Sequence, residues 1–174
     1  MRNPITILML AASMPGGAGG AGGPAVSVDR LELTTAEVLV LAYEDERRAE
    51  AFYAAVIDRH GEVRPFINIV QAERRHRAML EPLLERFGVP RPEGEVEVPE
   101  VPETLRACCE AGIRAEEENI ALYDRLLPAI EDEAVRAAVE RLQWASRERH
   151  LVAFRRCAQG EVAGRGGGPG RGRP

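Results

Sequence analysis

Lysine is absent from the chain: all 23 basic side chains are arginines. Chemistry that needs an internal lysine to form a Schiff base is thereby excluded. Basic residues do not form a stripe either, since acids and arginines interleave to a net charge of −5, which argues against a nucleic-acid partner. Cysteine is limited to three, with Cys108 adjacent to Cys109 and Cys157 far off, so the paired spacings of a zinc site are missing. No apolar run approaches the roughly 20 residues that a membrane-spanning helix requires. Aromatics contribute only 5% of the chain. What is abundant is Ala, Leu, Glu and Arg, all good helix formers. With 174 residues, 45% hydrophobic and 29% charged, the composition fits one globular domain with tails.

The two ends differ from the middle. Arg2, an apolar stretch from Ile5 to Ala12 and small residues before Ser27 resemble a weak secretion signal. A mis-assigned start codon followed by a tail is the alternative, so the compartment stays open between export and cytoplasm. Pro15 to Ala25 is mostly Gly and Ala and reads as a linker, so residues 1–33 are expected to lie outside the core. Residues 160–174 form a Gly- and Arg-rich tail expected to be disordered.

Four helical segments are expected within residues 34–159. Thr34 or Thr35 caps the first, which has Glu37 in its opening turn and ends near Arg59, before Gly61. The second starts near Pro65 and stops before Gly88 and Pro90. The third opens after Pro102 and runs to about Ala129, and Asp132 caps a fourth that continues to about Ala158. Short turns join the first helix to the second and the third to the fourth, so each of these two pairs is an antiparallel hairpin. Between the hairpins lies Gly88 to Glu103, interrupted by Pro90, Pro92, Pro99 and Pro102. Extended, those residues reach about 50 Å, whereas a helix of some 22 residues is only about 33 Å long. The connector therefore spans the bundle and sets the second and third helices parallel.

Following each apolar stripe at helical spacing shows where it turns polar. The stripes run Leu39, Ala42, Glu46, Ala49, Tyr53, Val56; Phe66, Ile69, Glu73, His76, Leu80, Leu83, Phe87; Cys109, Gly112, Glu116, Asn119, Tyr123, then Leu126 or Leu127; and Val139, Leu142, Ser146, His150, Ala153, Cys157. Each helix thus turns a polar group inward near mid-length, and the turn lengths put Glu46, Glu73, Glu116 and position 147 in one layer. An unpaired buried ion costs several kcal/mol even after relaxation, on the order of 3–5. Three glutamates and two histidines in one core therefore call for a shared partner, and a dication supplies one. Carboxylate with imidazole suits iron, manganese or zinc. Glu73 and His76, three residues apart, lie on one face, so both can reach one ion or the carboxylate can bridge two.

A faint repeat accompanies the pattern: Tyr53 follows Glu46 by seven residues, as Tyr123 follows Glu116. Inward tyrosines could donate hydrogen bonds to metal-bound carboxylates of the opposite hairpin. Plainer readings exist for each residue. An inward glutamate can pair with arginine, His150 can bond Ser146, and the tyrosines can be ordinary core residues. His60 reads as a surface residue at a helix end. Cys108 or Cys109 lies at a depth where a disulfide to Cys157 is feasible, with buried free thiols as the alternative.

At these residues the chain resembles the ferritin-like superfamily, which includes rubrerythrins and bacterioferritins. Glu46-Arg-Arg-Ala-Glu-Ala-Phe-Tyr53 looks like its first-helix ligand motif, and Ala72-Glu-Arg-Arg-His76 like its second-helix Glu-x-x-His. A closer likeness is to the ferritin-like proteins grouped as domain of unknown function 2202. It is carried by Tyr43-Glu-Asp-Glu46, Phe66-Ile-Asn-Ile69, Glu118-Asn-Ile-Ala-Leu-Tyr-Asp124 and Ser146-Arg-Glu-Arg-His-Leu-Val-Ala-Phe154. The resemblance covers roughly residues 35 to 158. It implies an all-α, ferritin-like four-helix bundle of two antiparallel hairpins joined by a long crossover.

In a two-metal version Glu46 and Glu116 would be terminal ligands, Glu73 a bridge, and His76 and His150 nitrogen donors. Iron would then cycle oxidation state with dioxygen or peroxide as oxidant. One departure stands out. A second Glu-x-x-His requires a carboxylate three residues before His150, and Arg147 occupies that position. A guanidinium cannot ligate a metal. Either Ser146, Asn119 or water completes the second position, or that position is lost, or Arg147 reaches inward to neutralise Glu116. Glu148 points away from the core unless the helix is locally overwound. The alternatives are a structural or binding bundle whose polar layer is a salt-bridge network, and an iron-storage subunit. A homo-oligomer is also open.

Overall fold

The structure, a computed structural model, describes residues 33–161. The signal-like segment, the Gly/Ala linker and nearly all of the Gly/Arg tail lie outside the described residues. Within them the chain is an all-α four-helix bundle: α1 (Thr35–His60), α2 (Phe66–Arg86), α3 (Leu105–Leu126), and a fourth rod made of α4 (Glu133–Ala145), a π-helical turn (Ser146–His150) and α5 (Leu151–Ala158). Among the described helices none is long and apolar enough to cross a membrane.

The helix ends follow from local chemistry. Thr34, rather than Thr35, caps α1 in a reciprocal box: its hydroxyl accepts from Glu37 N–H at 3.3 Å while its own N–H donates to the Glu37 carboxylate at 2.8 Å. Gly61 ends α1 at φ 81°, a conformation open to glycine at little cost, and its N–H returns to the Ile57 carbonyl. Thr104 caps α3, and Asp132 caps α4 by accepting from Ala134 and Val135 N–H. Pro65 stands one residue before α2, where its carbonyl accepts from Asn68 and Ile69.

Hydrogen bonds trace the crossover. Tyr43 of α1 reaches Glu81 near the end of α2, so α2 finishes beside the beginning of α1. The connector then runs down α1: Arg47 donates to the Gly94 carbonyl and Arg59 to that of Val101. It arrives at the end of α1, where α3 begins, and α2 and α3 are therefore parallel. The same return corrects the expectation for His60. It is half-buried, and its ring bonds the Pro102 carbonyl at 2.9 Å and meets the Cys108 thiol at 3.4 Å, because the connector folds back over that end. Phe87, expected inside, lies just past α2 and is 36% exposed, with Arg86 over its ring. Leu84 takes the buried place expected of Leu83.

Two apolar clusters divide the core. One gathers Val38, Leu39, Leu80, Leu84, Leu126, Val135 and Leu142 at one end of the bundle. The other gathers Phe52, Val56, Phe66, Val70 and Phe154 at the other end. Each such side chain contributes roughly 1.5–3 kcal/mol by leaving water. Cys109 and Cys157 form a disulfide that ties the start of α3 to the end of α5, and Cys108 remains a buried thiol. Of the two pairings considered, Cys109 is the one made. Between the clusters lies a layer of charged and polar side chains.

Candidate metal centre

Glu46, Glu73 and Glu116 are each only 2% exposed, and His150 4%. They come from all four rods and meet in one layer, as their positions along the apolar stripes predict. Glu73 stands at the middle. Its Oε2 lies 2.8 Å from His76 Nδ1, and its Oε1 lies 3.1 Å from His150 Nδ1. On the outer side of each histidine stands a further carboxylate: Glu46 is 3.0 Å from His76 Nδ1, and Glu116 is 3.4 Å from His150 Nδ1. The two imidazoles stack with centroids 5.6 Å apart. The arrangement is nearly symmetric, with a glutamate and a histidine on each side of one shared carboxylate.

The tyrosines complete that symmetry across the hairpins. Tyr53 of α1 donates to Glu116 of α3 at 2.7 Å, and Tyr123 of α3 donates to Glu46 of α1 at 2.5 Å. On Glu46 the tyrosine takes Oε1 and leaves Oε2 to His76, whereas on Glu116 the Oε1 that Tyr53 holds is also the oxygen that faces His150. Seven-residue spacing explains the reach. It places the tyrosine two turns along the same face, and the side chain, tilted toward the helix N-terminus, brings the hydroxyl back to the partner helix's glutamate.

Burial governs the protonation of the layer. Burial pushes the Glu46 carboxyl well above the ordinary range, and the neighbouring Glu73 charge adds to it. Burial also raises Glu116, against the opposing pull of His150. For Glu73 burial acts in the same upward direction, but the His150 and His76 rings beside its two oxygens outweigh it and hold the group below its usual value. Burial would lower both histidines. Instead the carboxylates beside them prevail, carrying His76 up to about 9 and His150 up to about 10. Tyr53 and Tyr123 are raised well above 10 by burial and then by the carboxylates they hold, so both remain donors at neutral pH.

Arg147 does not reach inward to Glu116. It points outward, nearly half exposed, and reaches Asp124 at 3.6 Å rather than Glu116. The cause is the backbone around it. Residues 146–150 form a π-helical turn in which Leu151 N–H bonds the Ser146 carbonyl. The turn is wider than an α-helix, not overwound, and it keeps both Ser146 and His150 inside while Arg147, Glu148 and Arg149 face solvent. Single π turns of this kind often mark functional sites. Ser146 does not bond His150. It donates to Asn119 Oδ1 at 2.7 Å, and Asn119 in turn donates to Asp45. That relay links the π turn, α3 and α1 beside the layer, and Asp45 is the member that sequence reasoning missed. Its acidic neighbours Glu44 and Glu46 masked it, since nothing in the periodicity marks a residue one step off the stripe.

The donor set suits a cation. One ligand atom each from Glu73, His76 and His150 lies within 4.8 Å of the others. His150 Nδ1 is buried without a well-formed hydrogen bond, although two carboxylates are close. An orphaned buried nitrogen aimed at carboxylates needs an explanation, and a shared ion provides one. Glu46 and Glu116 stand where they would complete one set each.

The fold and the layer define an all-α four-helix bundle with a buried carboxylate–imidazole centre. No protein-family model matches the chain, and no curated protein matches it. Among solved structures it is similar to a hypothetical protein from Methanococcus jannaschii DSM 2661. The two are 19% identical, with a TM-score of 0.64 over 83% of this chain and 87% of that one. At that identity the likeness speaks for the fold alone.

Proposed function

We propose that the protein is a ferritin-like metal-binding protein whose bundle centre takes one or two ions of iron, manganese or zinc. Glu46 and His76 would hold one ion, Glu116 and His150 the other, with Glu73 between them. The observation that carries this reading is the position of Glu73, one oxygen toward each of two histidines from different rods. Bound iron or manganese would supply redox chemistry with dioxygen or peroxide as oxidant. The chain's own residues set its terms. The tyrosines fix the outer carboxylates, the apolar clusters exclude water at both ends, and with Arg147 outside the layer the chain would offer few enough donors to leave a bound ion open to a further ligand. Open positions are what separates a reactive site from a structural one.

The competing reading is a metal-free ion-pair layer, favoured by the hydrogen bonds that Glu46, Glu73 and Glu116 already accept. Elemental analysis of untagged protein, followed by titration of stripped protein with ferrous, manganous and zinc ions, decides between the two. Bound metal and a rise in melting temperature on loading support the centre. A protein that neither carries nor takes up metal, with melting unchanged by chelator, sinks it.

Metal uptake is expected to release protons and to tighten as pH rises. His76 and His150 both have raised values in the metal-free layer, so at neutral pH they hold protons that a cation must displace. The gain in affinity extends from neutral pH up to the region of 9–10, where the histidines shed their protons unaided. Calorimetry in two buffers of different ionisation enthalpy counts the protons. Equal heats in both buffers would contradict the expectation.

A further inference from the structure

One groove connects solvent to the histidines. It lies between α2 and the fourth rod, encloses about 680 Å³, and is lined in part by His76 and His150. That volume is typical of small-molecule sites. Ile69, Ala72, Met79 and Ala153 give it an apolar wall, and Trp144, 54% exposed, stands at its side.

Its charge is one-sided. Arg75, Arg141 and Arg149 line it, and among the described residues no aspartate or glutamate does. Elsewhere in a chain of net charge −5, Arg47, Arg48, Arg74, Arg77, Arg86 and Arg155 pair with acids. Among the described residues none of the three groove arginines has a carboxylate partner; Arg149 instead stacks on Trp144, 5.5 Å from the ring centroid. Unpaired guanidiniums over an apolar floor match a ligand with an anionic head and an apolar body, because a planar fork of donors fits a carboxylate.

We propose that this groove is the entrance through which a small amphipathic organic anion, a carboxylate with an aliphatic or aromatic body, approaches the bundle centre. The anion-selective part stands on the groove alone, and the approach to a reactive ion rests on the reading given under Proposed function. The arginines hold the head group at the mouth, and the tail lies along Ile69 and Met79 toward the imidazoles.

Trp144 is the single tryptophan of the chain, so its fluorescence reports on this groove directly. Full-length, metal-stripped protein is titrated with octanoate, with octanol as tail without charge, and with inorganic phosphate as charge without tail. Octanoate is expected to give a saturable change, about tenfold or more tighter than either control. The triple variant Arg75→Gln, Arg141→Gln, Arg149→Gln should weaken octanoate by at least about tenfold, the effect of losing charge-assisted hydrogen bonds. In metal-loaded protein, octanoate should slow removal of the ion by chelator, and in the triple variant it should not. Octanol or phosphate binding as well as octanoate, or a triple variant that binds octanoate undiminished, overturns the inference. Octanoate binding by a protein that takes up no metal would instead sink the metal reading while leaving the anion groove standing.

Discussion

Replacing Glu73 by glutamine is expected to abolish binding of both ions, with affinity for manganous or zinc ion falling by well over about 100-fold. Loss of a mere supporting partner of a ligand costs roughly 10–100-fold, and Glu73 would serve both halves of the proposed site at once. Its oxygens lie 2.8 Å from His76 and 3.1 Å from His150. Glutamine keeps the shape but removes the charge, and its amide nitrogen turns a donor toward one of the two imidazoles. The outer carboxylates supply the contrast. Glu46→Gln should impair the half containing His76 and spare that containing His150, while Glu116→Gln should do the reverse. Calorimetric stoichiometry separates these outcomes: two sites in the parent, one altered site in each outer variant, none with Glu73→Gln. Circular dichroism confirms that the variants remain helical. A Glu73→Gln protein that binds metal as the parent does would remove the central carboxylate from the centre. Equal losses from all three variants would mean a single shared ion.

Much of this arrangement was legible before the structure. Periodicity marked Glu46, Glu73, His76, Glu116 and His150 as inward because an apolar stripe interrupted by a charge is a strong signal on a helix. Prolines between Gly88 and Glu103 excluded a helix there, and reach alone then fixed the crossover. The tyrosine reach across the hairpins followed from a repeat in spacing. Elsewhere the signal was missing for physical reasons. Arg147 was drawn toward the layer by the likeness to a second Glu-x-x-His, and the π turn that carries it outward has no composition of its own to announce it. Asp45 joins the polar relay through Asn119, a contact between helices that no spacing within one helix encodes. The surroundings of His60 depend on where the connector lands. The groove, too, is a property of two rods side by side: Arg75 is distant in sequence from Arg141 and Arg149, and each alone looks like any exposed arginine.

Phe154→Ala is expected to destabilise the protein by about 3–5 kcal/mol, as burying no ring and leaving a cavity usually does. Phe154 is fully buried, with centroids 5.1 Å from Tyr53 and 5.2 Å from Phe66. Gly112 explains why α3 can approach it. A Cβ added at that glycine would lie 2.8 Å from two ring carbons of Phe154, and the ring, held by its aromatic neighbours, has little room to give. Gly112→Ala alone should therefore be destabilising: overpacking costs about 1–3 kcal/mol, against about 1 kcal/mol gained from helix propensity. With Phe154→Ala already made, the same change should become stabilising by about 1 kcal/mol, since the clash is gone and the methyl occupies part of the cavity. Urea unfolding of the four proteins measures the sign reversal. Additive effects would show that Gly112 and Phe154 are not in the close contact described. The reversal also bears on the site, because Phe154 packs on Tyr53, whose hydroxyl holds Glu116 at 2.7 Å. A Tyr53 freed from its ring neighbours holds that carboxylate less firmly. Metal affinity on the Glu116 side should then fall by roughly tenfold in Phe154→Ala and recover in part when Gly112→Ala is added.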